Sequence, residues 1–286
     1  MVLGLGYTGL ATAVAASGLG WSVGATTRGT ANLMSGIALQ PFASVSFDGV
    51  THLLITAPPD QDGDPALRAH LPAIRAARDL RWIGYMSTTG VYGDRGGGWV
   101  DETTPPAPSS PRGARRVRAE GEWAGLGDRF AVDILRLAGI YGPGRSVFDD
   151  LRAGTARRID KPGHAFGRIH RDDIAGAALA AMAQTPPPGV RVLNLNDDLP
   201  ADSAMVVAEA ARLLKMPEPP LIGFADAALS PMAASFWAEN RKVSSRRTQE
   251  MLGRSWAYPT YREGLAAILA EEGRNGSGKD RQVLGP

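Results

Sequence analysis

At 286 residues with 44% hydrophobic content, the chain can bury one large core, or a core with a smaller lobe attached. Basic residues outnumber acidic ones by only 31 to 29, with both signs mixed along the chain, which argues against nucleic acid as a partner. The lack of cysteine excludes a disulfide framework, a thiolate metal site and a cysteine nucleophile, and with a reducing compartment in view the cytoplasm is the expected location.

Residues 1–27 carry no charged side chain, so "MVLGLGYTGLATAVAASGLGW" invites comparison with a leader or a membrane span. It lacks a basic start, carries glycine at 4, 6, 9, 18 and 20, and falls short of the clean apolar run of about 20 residues that a bilayer demands. A buried strand and a helix are expected instead, with no membrane as partner. Strands are expected at Val2 to Leu5, Ser22 to Thr26, His52 to Thr56, Trp82 to Met86 and Val132 to Leu135. Helical patterns fall between them at Gly9 to Ala16, Pro65 to Asp79 and Arg112 to Trp123, with a weaker one at Asn32 to Leu39. This alternation predicts parallel strands joined by crossover helices. The first strand is short, which leaves open whether the chain begins within it.

After "YGPGR" at 141–145 come short helices, Pro-rich connections and one isolated apolar strand, Val190 to Leu195, the texture of a smaller lobe whose strand could return to the main sheet. The expected division is a dinucleotide-binding core over 1–145, completed by later segments, a substrate lobe mainly over 146–272, and a disordered tail over 273–286. Within that tail Gly273, Gly278 and Lys279 nearly match a phosphate-binding loop. Asp280 stands where Ser or Thr is required, and no strand precedes it.

"VLGLGYTGLATAVAA" sets Gly4, Gly6 and Gly9 in a G-x-G-x-x-G spacing between a strand and a helix. The three glycines then serve different ends, Gly4 a tight turn, Gly6 the close approach of a pyrophosphate, and Gly9 helix packing. Tyr7 and Thr8 open the helix, whose N-terminal N–H groups favour phosphate, and Ala57 follows the strand expected next to the loop. About 20 residues on, where an NAD site carries Asp or Glu, stand Thr26, Thr27 and Arg28. A guanidinium there suits a 2′-phosphate, with the threonine hydroxyls as further donors, so NADP is favoured over NAD. The plain alternative is that Arg28 is a solvent-facing loop residue.

"WIGYMSTTGVYGD" at 82–94, "WVDETTPPAPSSP" at 99–111, "ILRLAGIYGPG" at 134–144 and "RIHRDDIAGAALAAM" at 168–182 follow in order, and a family-like "MLGRSWAYPTYREGL" ends the match. In these blocks, from Val2 to about Leu269, the chain resembles the extended short-chain dehydrogenase/reductases of the NAD-dependent epimerase/dehydratase type. The resemblance implies an α/β fold, a Rossmann-type doubly wound parallel sheet with a small C-terminal substrate lobe, and a small-molecule substrate. It also implies that Thr88 holds a substrate oxygen, and it makes a homodimer through the Arg112 to Trp123 helix conceivable despite that helix's charge.

The family's Tyr-x-x-x-Lys motif, anchored on Glu120, would fall on Arg112 and Arg116. An arginine is not deprotonated in proteins, so Arg112 cannot replace the tyrosine as proton donor, though it can stabilise an oxyanion or clamp a carboxylate or phosphate. Arg112, Arg116 and Glu120 recur every four residues and share one helical stripe. That stripe is compatible with a site and equally with an exposed Arg116–Glu120 ion pair worth about 0.3 to 0.5 kcal/mol. Replacement acids are Tyr92, Tyr141 and His170, each of which has a structural alternative: aromatic packing for the tyrosines, a buried hydrogen-bonded ring for the histidine. Asp172 and Asp173 read as caps at a helix start rather than as a metal site. Gly139 stands where sugar-nucleotide epimerases often place an asparagine. Two functions therefore compete: an NADP-dependent oxidoreductase or epimerase/dehydratase-like enzyme with altered acid-base groups and a small anionic substrate, and an NADP(H)-binding module without turnover.

Overall fold

The computed structural model describes residues 1–27 and 36–280; side chains are described through residue 274, except that of Met232. In chain order the strands are β1 (Val2–Leu3), β2 (Val23–Thr26), β3 (Ile37–Leu39), β4 (His52–Ile55), β5 (Trp82–Thr88), β6 (Trp99–Val100), β7 (Ala131–Leu137), β8 (Gly139–Tyr141), β9 (Arg158–Asp160), β10 (Arg168–His170), β11 (Gly189–Leu195), β12 (Leu221–Gly223) and β13 (Lys242–Val243). The helices are α1 (Tyr7–Gly18), α2 (Pro65–Ala76), α3 (Pro111–Ala124), α4 (Val147–Arg152), α5 (Arg171–Ala183), α6 (Ser203–Leu214), α7 (Pro231–Trp237), α8 (Arg246–Leu252) and α9 (Tyr261–Asp280).

Seven strands form one parallel sheet in the order β11-β7-β5-β4-β1-β2-β3. Every residue of β7 is buried, as expected for a strand covered on both faces. Helices α1 and α5 cover one face through small side chains, Ala13 and Ala16 meeting the cluster of Ala177, Ala178 and Ala181. Helices α2 and α3 cover the other with Leu67, Ile74, Ala119 and Trp123. The sheet reverses its winding between β1 and β4, the place where such sheets bind ligands at the strands' carboxyl ends.

The remaining short strands pair two by two, β8 with β10, β9 with β12 and β6 with β13, and lie beyond those carboxyl ends with α4, α6 and α7. The isolated strand β11 returns to the main sheet, in register with β7 along all seven residues. Of the helix expected over Asn32 to Leu39, the described part differs: Ile37–Leu39 is the edge strand β3, and Arg28 to Ser35 lie outside the described residues. Helix α9 runs on to Asp280, so the stretch expected to open a disordered tail begins as helix. No helix among the described residues is long and apolar enough to cross a membrane.

Candidate functional site

At the winding reversal a cleft of about 610 Å³ is lined by Gly4, Gly6, Thr26, Thr27, Thr56 and Ala57 among others. The loop glycines divide the work as their spacing predicts. Gly4 has φ +104°, and a Cβ there would meet the Thr56 hydroxyl at 2.8 Å and the Ala57 nitrogen at 3.1 Å. A side chain at Gly9 would collide with the Gly4 carbonyl, whereas one at Gly6 would meet nothing within 4 Å because it would project into the cleft. The loop is pinned from both sides: Gly4 N–H donates to the Thr26 hydroxyl at 3.2 Å, and the Thr56 hydroxyl donates to the Gly4 carbonyl. Gly6 starts α1 with no side chain capping it, which leaves the first-turn N–H groups for an anion. These features fit a dinucleotide's phosphates.

Thr26 is buried, and its hydroxyl, which accepts the Gly4 N–H, also positions the loop. Thr27 lines the cleft, and Arg28 lies outside the described residues.

Thr56 also borders a second cavity of about 300 Å³, which continues the cleft across the end of β5. Thr8, Thr88, Arg112 and Arg116 all line it. The sequence explains the convergence. Thr88 closes β5, its hydroxyl accepting the Gly90 N–H at 3.1 Å, and Ser110 and Pro111 start α3 so that its first two turns carry both arginines over the strand end. The Arg116 guanidinium donates to the Tyr85 hydroxyl at 3.0 Å and the Met86 carbonyl at 2.7 Å. Burial pushes the Tyr85 phenol well above the usual tyrosine range, against the opposing pull of Arg116. Arg112 is exposed, makes no ion pair among the described residues, and has its guanidinium 5.8 Å from the centre of the Phe236 ring.

Glu120 does not pair with Arg116. It is buried and accepts from Arg136 on β7 at 2.7 and 3.1 Å and from the Ser87 hydroxyl at 2.6 Å. The three candidate acids stand outside the cavity. Tyr92 is fully buried, donates to Asn194 at 2.8 Å and lies under the Arg136 guanidinium at 4.8 Å. Tyr141 points its hydroxyl at the Thr260 carbonyl, and burial raises its pKa far out of range for proton transfer. His170, packed between Tyr141 and Tyr258, caps α5 by accepting the Asp172 N–H, and burial lowers its pKa to about 4, so the ring is neutral at pH 7. The cap is therefore the histidine. Asp173 instead accepts from the N–H groups of Ala257 and Tyr258, tying α5 to the segment before α9, and Asp172 pairs with Arg171 at 2.9 Å. Tyr7 turns toward the small lobe, donating to the Pro143 carbonyl at 3.0 Å, with the guanidinium groups of Arg145 and Arg171 over its ring.

Sequence reasoning passed over Arg145, which stands in "YGPGR", lines the same cavity as Arg112 and makes no ion pair among the described residues. The remaining charges there, Arg241 and Glu239, pair with each other at 2.6 Å. No tyrosine, histidine or lysine is among the lining residues. The cavity can thus hold an anion and polarise an oxygen, but its side chains offer no neutral-range general acid.

No protein-family model matches the chain. Among curated proteins it is 32% identical over 241 residues to protein YeeZ of Escherichia coli strain K12, covering 77% of this chain and 84% of that one. It is 29% identical over 215 residues to a 3-diazoavenalumate denitrifying reductase of Streptomyces, covering 69% and 68%. Among solved structures, a functionally unknown conserved protein of Silicibacter pomeroyi superposes with a TM-score of 0.89 at 45% identity, over 94% of this chain and 98% of that one. A protein from Methylobacillus flagellatus assigned to the NAD-dependent epimerase/dehydratases superposes with a TM-score of 0.73 at 25% identity, over 95% and 97%. The sheet order, the glycine loop and these likenesses agree, and the chain belongs to the NAD-dependent epimerase/dehydratase family of short-chain dehydrogenase/reductases, as an atypical member whose sequence contains no Tyr-x-x-x-Lys motif.

Proposed function

We propose that the protein is a nicotinamide-dependent oxidoreductase, with NADP preferred, that acts on a small anionic substrate. One observation carries this reading: Arg112 and Arg145, both exposed and both without an ion-pair partner among the described residues, line one cavity with Thr88 beside the nucleotide cleft. Two unneutralised guanidinium groups around a cavity favour a carboxylate or phosphate, bound through charged hydrogen bonds of about 1.5 to 3 kcal/mol each.

Bound in the cleft, the nicotinamide would supply or accept a hydride. The chain's own residues do the rest. Gly4, Gly6 and the start of α1 receive the phosphates; Thr88 and Arg112 orient the substrate and stabilise negative charge that develops on its oxygen. Arg116, fixed on Tyr85 and Met86, adds a permanent positive potential without moving a proton. The proton of a carbonyl reduction would then come from water, at a cost of roughly 10² to 10⁴ in rate relative to a positioned acid. Reductions whose leaving group departs without a proton escape that penalty, and the Streptomyces relative's name, a denitrifying reductase, is compatible with such chemistry.

The second reading, a cofactor-binding module without turnover, is favoured by the burial of Tyr92, Tyr141 and His170 away from the cavity. A panel of carboxylated and phosphorylated carbonyl compounds, with NADPH oxidation and thermal shift recorded together, separates the two. Turnover that Arg112→Ala abolishes supports the enzyme; cofactor binding with no response to any compound supports the module.

A further inference from the structure

The cavity under Arg112 does not end at the lobe. A neighbouring cavity of about 370 Å³ shares Gly139, Ile140, Phe166, Gly167 and Phe236 with it, and continues to Trp237. At the shared boundary stand two residues without side chains, Gly139 and Gly167, whose backbones are joined by a 3.1 Å hydrogen bond from the Gly139 N–H to the Gly167 carbonyl. A Cβ on Gly139 would come within 3.1 Å of that carbonyl. The boundary between the two spaces therefore carries no side chain at positions 139 and 167.

The annex is aromatic. Phe166 and Trp237 meet edge to face with centroids 4.8 Å apart, and Phe236 stands over the opening 55% exposed, its ring facing the Arg112 guanidinium. An exposed phenylalanine bordering two adjoining cavities is a surface that a ring can cover. Arg168 and Tyr141 also border the annex, but the guanidinium is committed to the carbonyls of Phe166 and Ala201, and the Tyr141 hydroxyl is turned to the Thr260 carbonyl.

We propose that the substrate is an aryl-substituted carboxylic acid, its carboxylate on Arg112 and its ring in the annex between Phe236, Phe166 and Trp237, with Gly139 as the threshold that admits it. This rests on the reading of the cavity as a substrate site and specifies its substrate class. The charge and the apolar wall lie on adjoining sides of one opening, which an aliphatic dianion or a phosphorylated sugar would use only in part.

The test measures binding by calorimetric titration of three probes, 3-phenylpropanoate, propanoate and 3-phenylpropanamide, each with and without NADPH. The expected order is 3-phenylpropanoate at least about tenfold tighter than either of the others, which lack the ring or the charge; tenfold corresponds to about 1.4 kcal/mol. Phe236→Ala should lower affinity for 3-phenylpropanoate about tenfold and leave NADPH binding unchanged, since Phe236 is exposed and is not among the residues that line the nucleotide cleft. Gly139→Asn, at a position whose φ lies outside the left-handed region, should do the same by filling the threshold. Equal affinities for the three probes, no binding of 3-phenylpropanoate, or an affinity unchanged in both variants would overturn the proposal. Binding of the aryl acid without any binding of NADPH would instead overturn the oxidoreductase reading and leave the aryl-acid site standing.

Discussion

Replacing Glu120 by glutamine should destabilise the protein by about 3 kcal/mol, although Glu120 sits in a helix whose sequence looks like a solvated, ion-paired surface. Glu120 is 6% exposed and Arg136 4% exposed, and the pair is joined by contacts of 2.7 and 3.1 Å while the Ser87 hydroxyl donates to the same carboxylate at 2.6 Å. Removing one partner of a buried pair leaves the other charge unsolvated, at a cost of about 3 to 5 kcal/mol. The glutamine oxygen can still accept one of the three donors, and the Tyr92 ring 4.8 Å from the guanidinium offsets part of the loss, so the lower end applies. For a chain of this size about 3 kcal/mol lowers Tm by roughly 6 to 12 °C. Glu122 is the control: it pairs with Arg118 on the exposed side of the same helix, where the loss should stay within about 0.5 kcal/mol. Urea denaturation of the wild type, Glu120→Gln and Glu122→Gln reads both. A loss under 1 kcal/mol for Glu120→Gln, or equal losses for the two variants, would mean that burial gives the Glu120–Arg136 pair no special weight.

Gly6→Val should abolish dinucleotide binding with the fold intact, since its side chain would enter the open cleft, while Gly9→Ala should destabilise the fold by collision with the Gly4 carbonyl; calorimetric titration beside circular dichroism distinguishes them, and undiminished binding in Gly6→Val would remove Gly6 from the site. NADPH should bind more tightly than NADH, and Arg28→Ala should weaken NADPH selectively, by about 1.5 to 3 kcal/mol; equal affinities in the wild type, measured by nicotinamide fluorescence, would contradict this. The stability of the wild type relative to Asp197→Asn should fall as pH rises between about 4 and 8, by at most about 1.4 kcal/mol per pH unit, because burial pushes the Asp197 carboxyl up to about 8, so the folded state keeps a proton that the unfolded chain has released. The wild type alone should show little net slope, because His170, held down to about 4, and the Met1 ammonium, held down to about 6, contribute stability that grows as pH rises, to about 6.5 and to about 8 respectively. Denaturation profiles of the two proteins that ran parallel across that window would rule the assignment out.

The parallel sheet was legible because its central strands are buried on both faces and so read as largely apolar runs, and the glycine loop because each glycine answers a separate steric demand. Strand β3 was not, since three residues at a sheet edge carry no period to distinguish them from a helical turn. The charges inside β7 were a missed signal: Asp133 and Arg136 interrupt the apolar run "AVDILRL", and a charge on a strand buried throughout requires a buried partner. Asp133 finds Trp82 and Arg191, and Arg136 finds Glu120, the residue that helical spacing had paired with Arg116. Tyr92, Tyr141 and His170 carry the right chemistry for an acid, but type and neighbourhood in the sequence do not reveal that their polar atoms are turned into the protein. Arg145 escaped notice for the opposite reason, since an exposed arginine in a turn reads as solvation until a cavity is seen beside it.

A crystal structure of the protein with NADPH and a carboxylate substrate analogue would decide between a substrate site and a solvated arginine helix. The nicotinamide ring should lie at the Thr88 end of the cavity, with the carboxylate on the Arg112 guanidinium. A nicotinamide placed elsewhere, or Arg112 turned into bulk solvent away from both Thr88 and the analogue, would contradict the assignment of this cavity to catalysis.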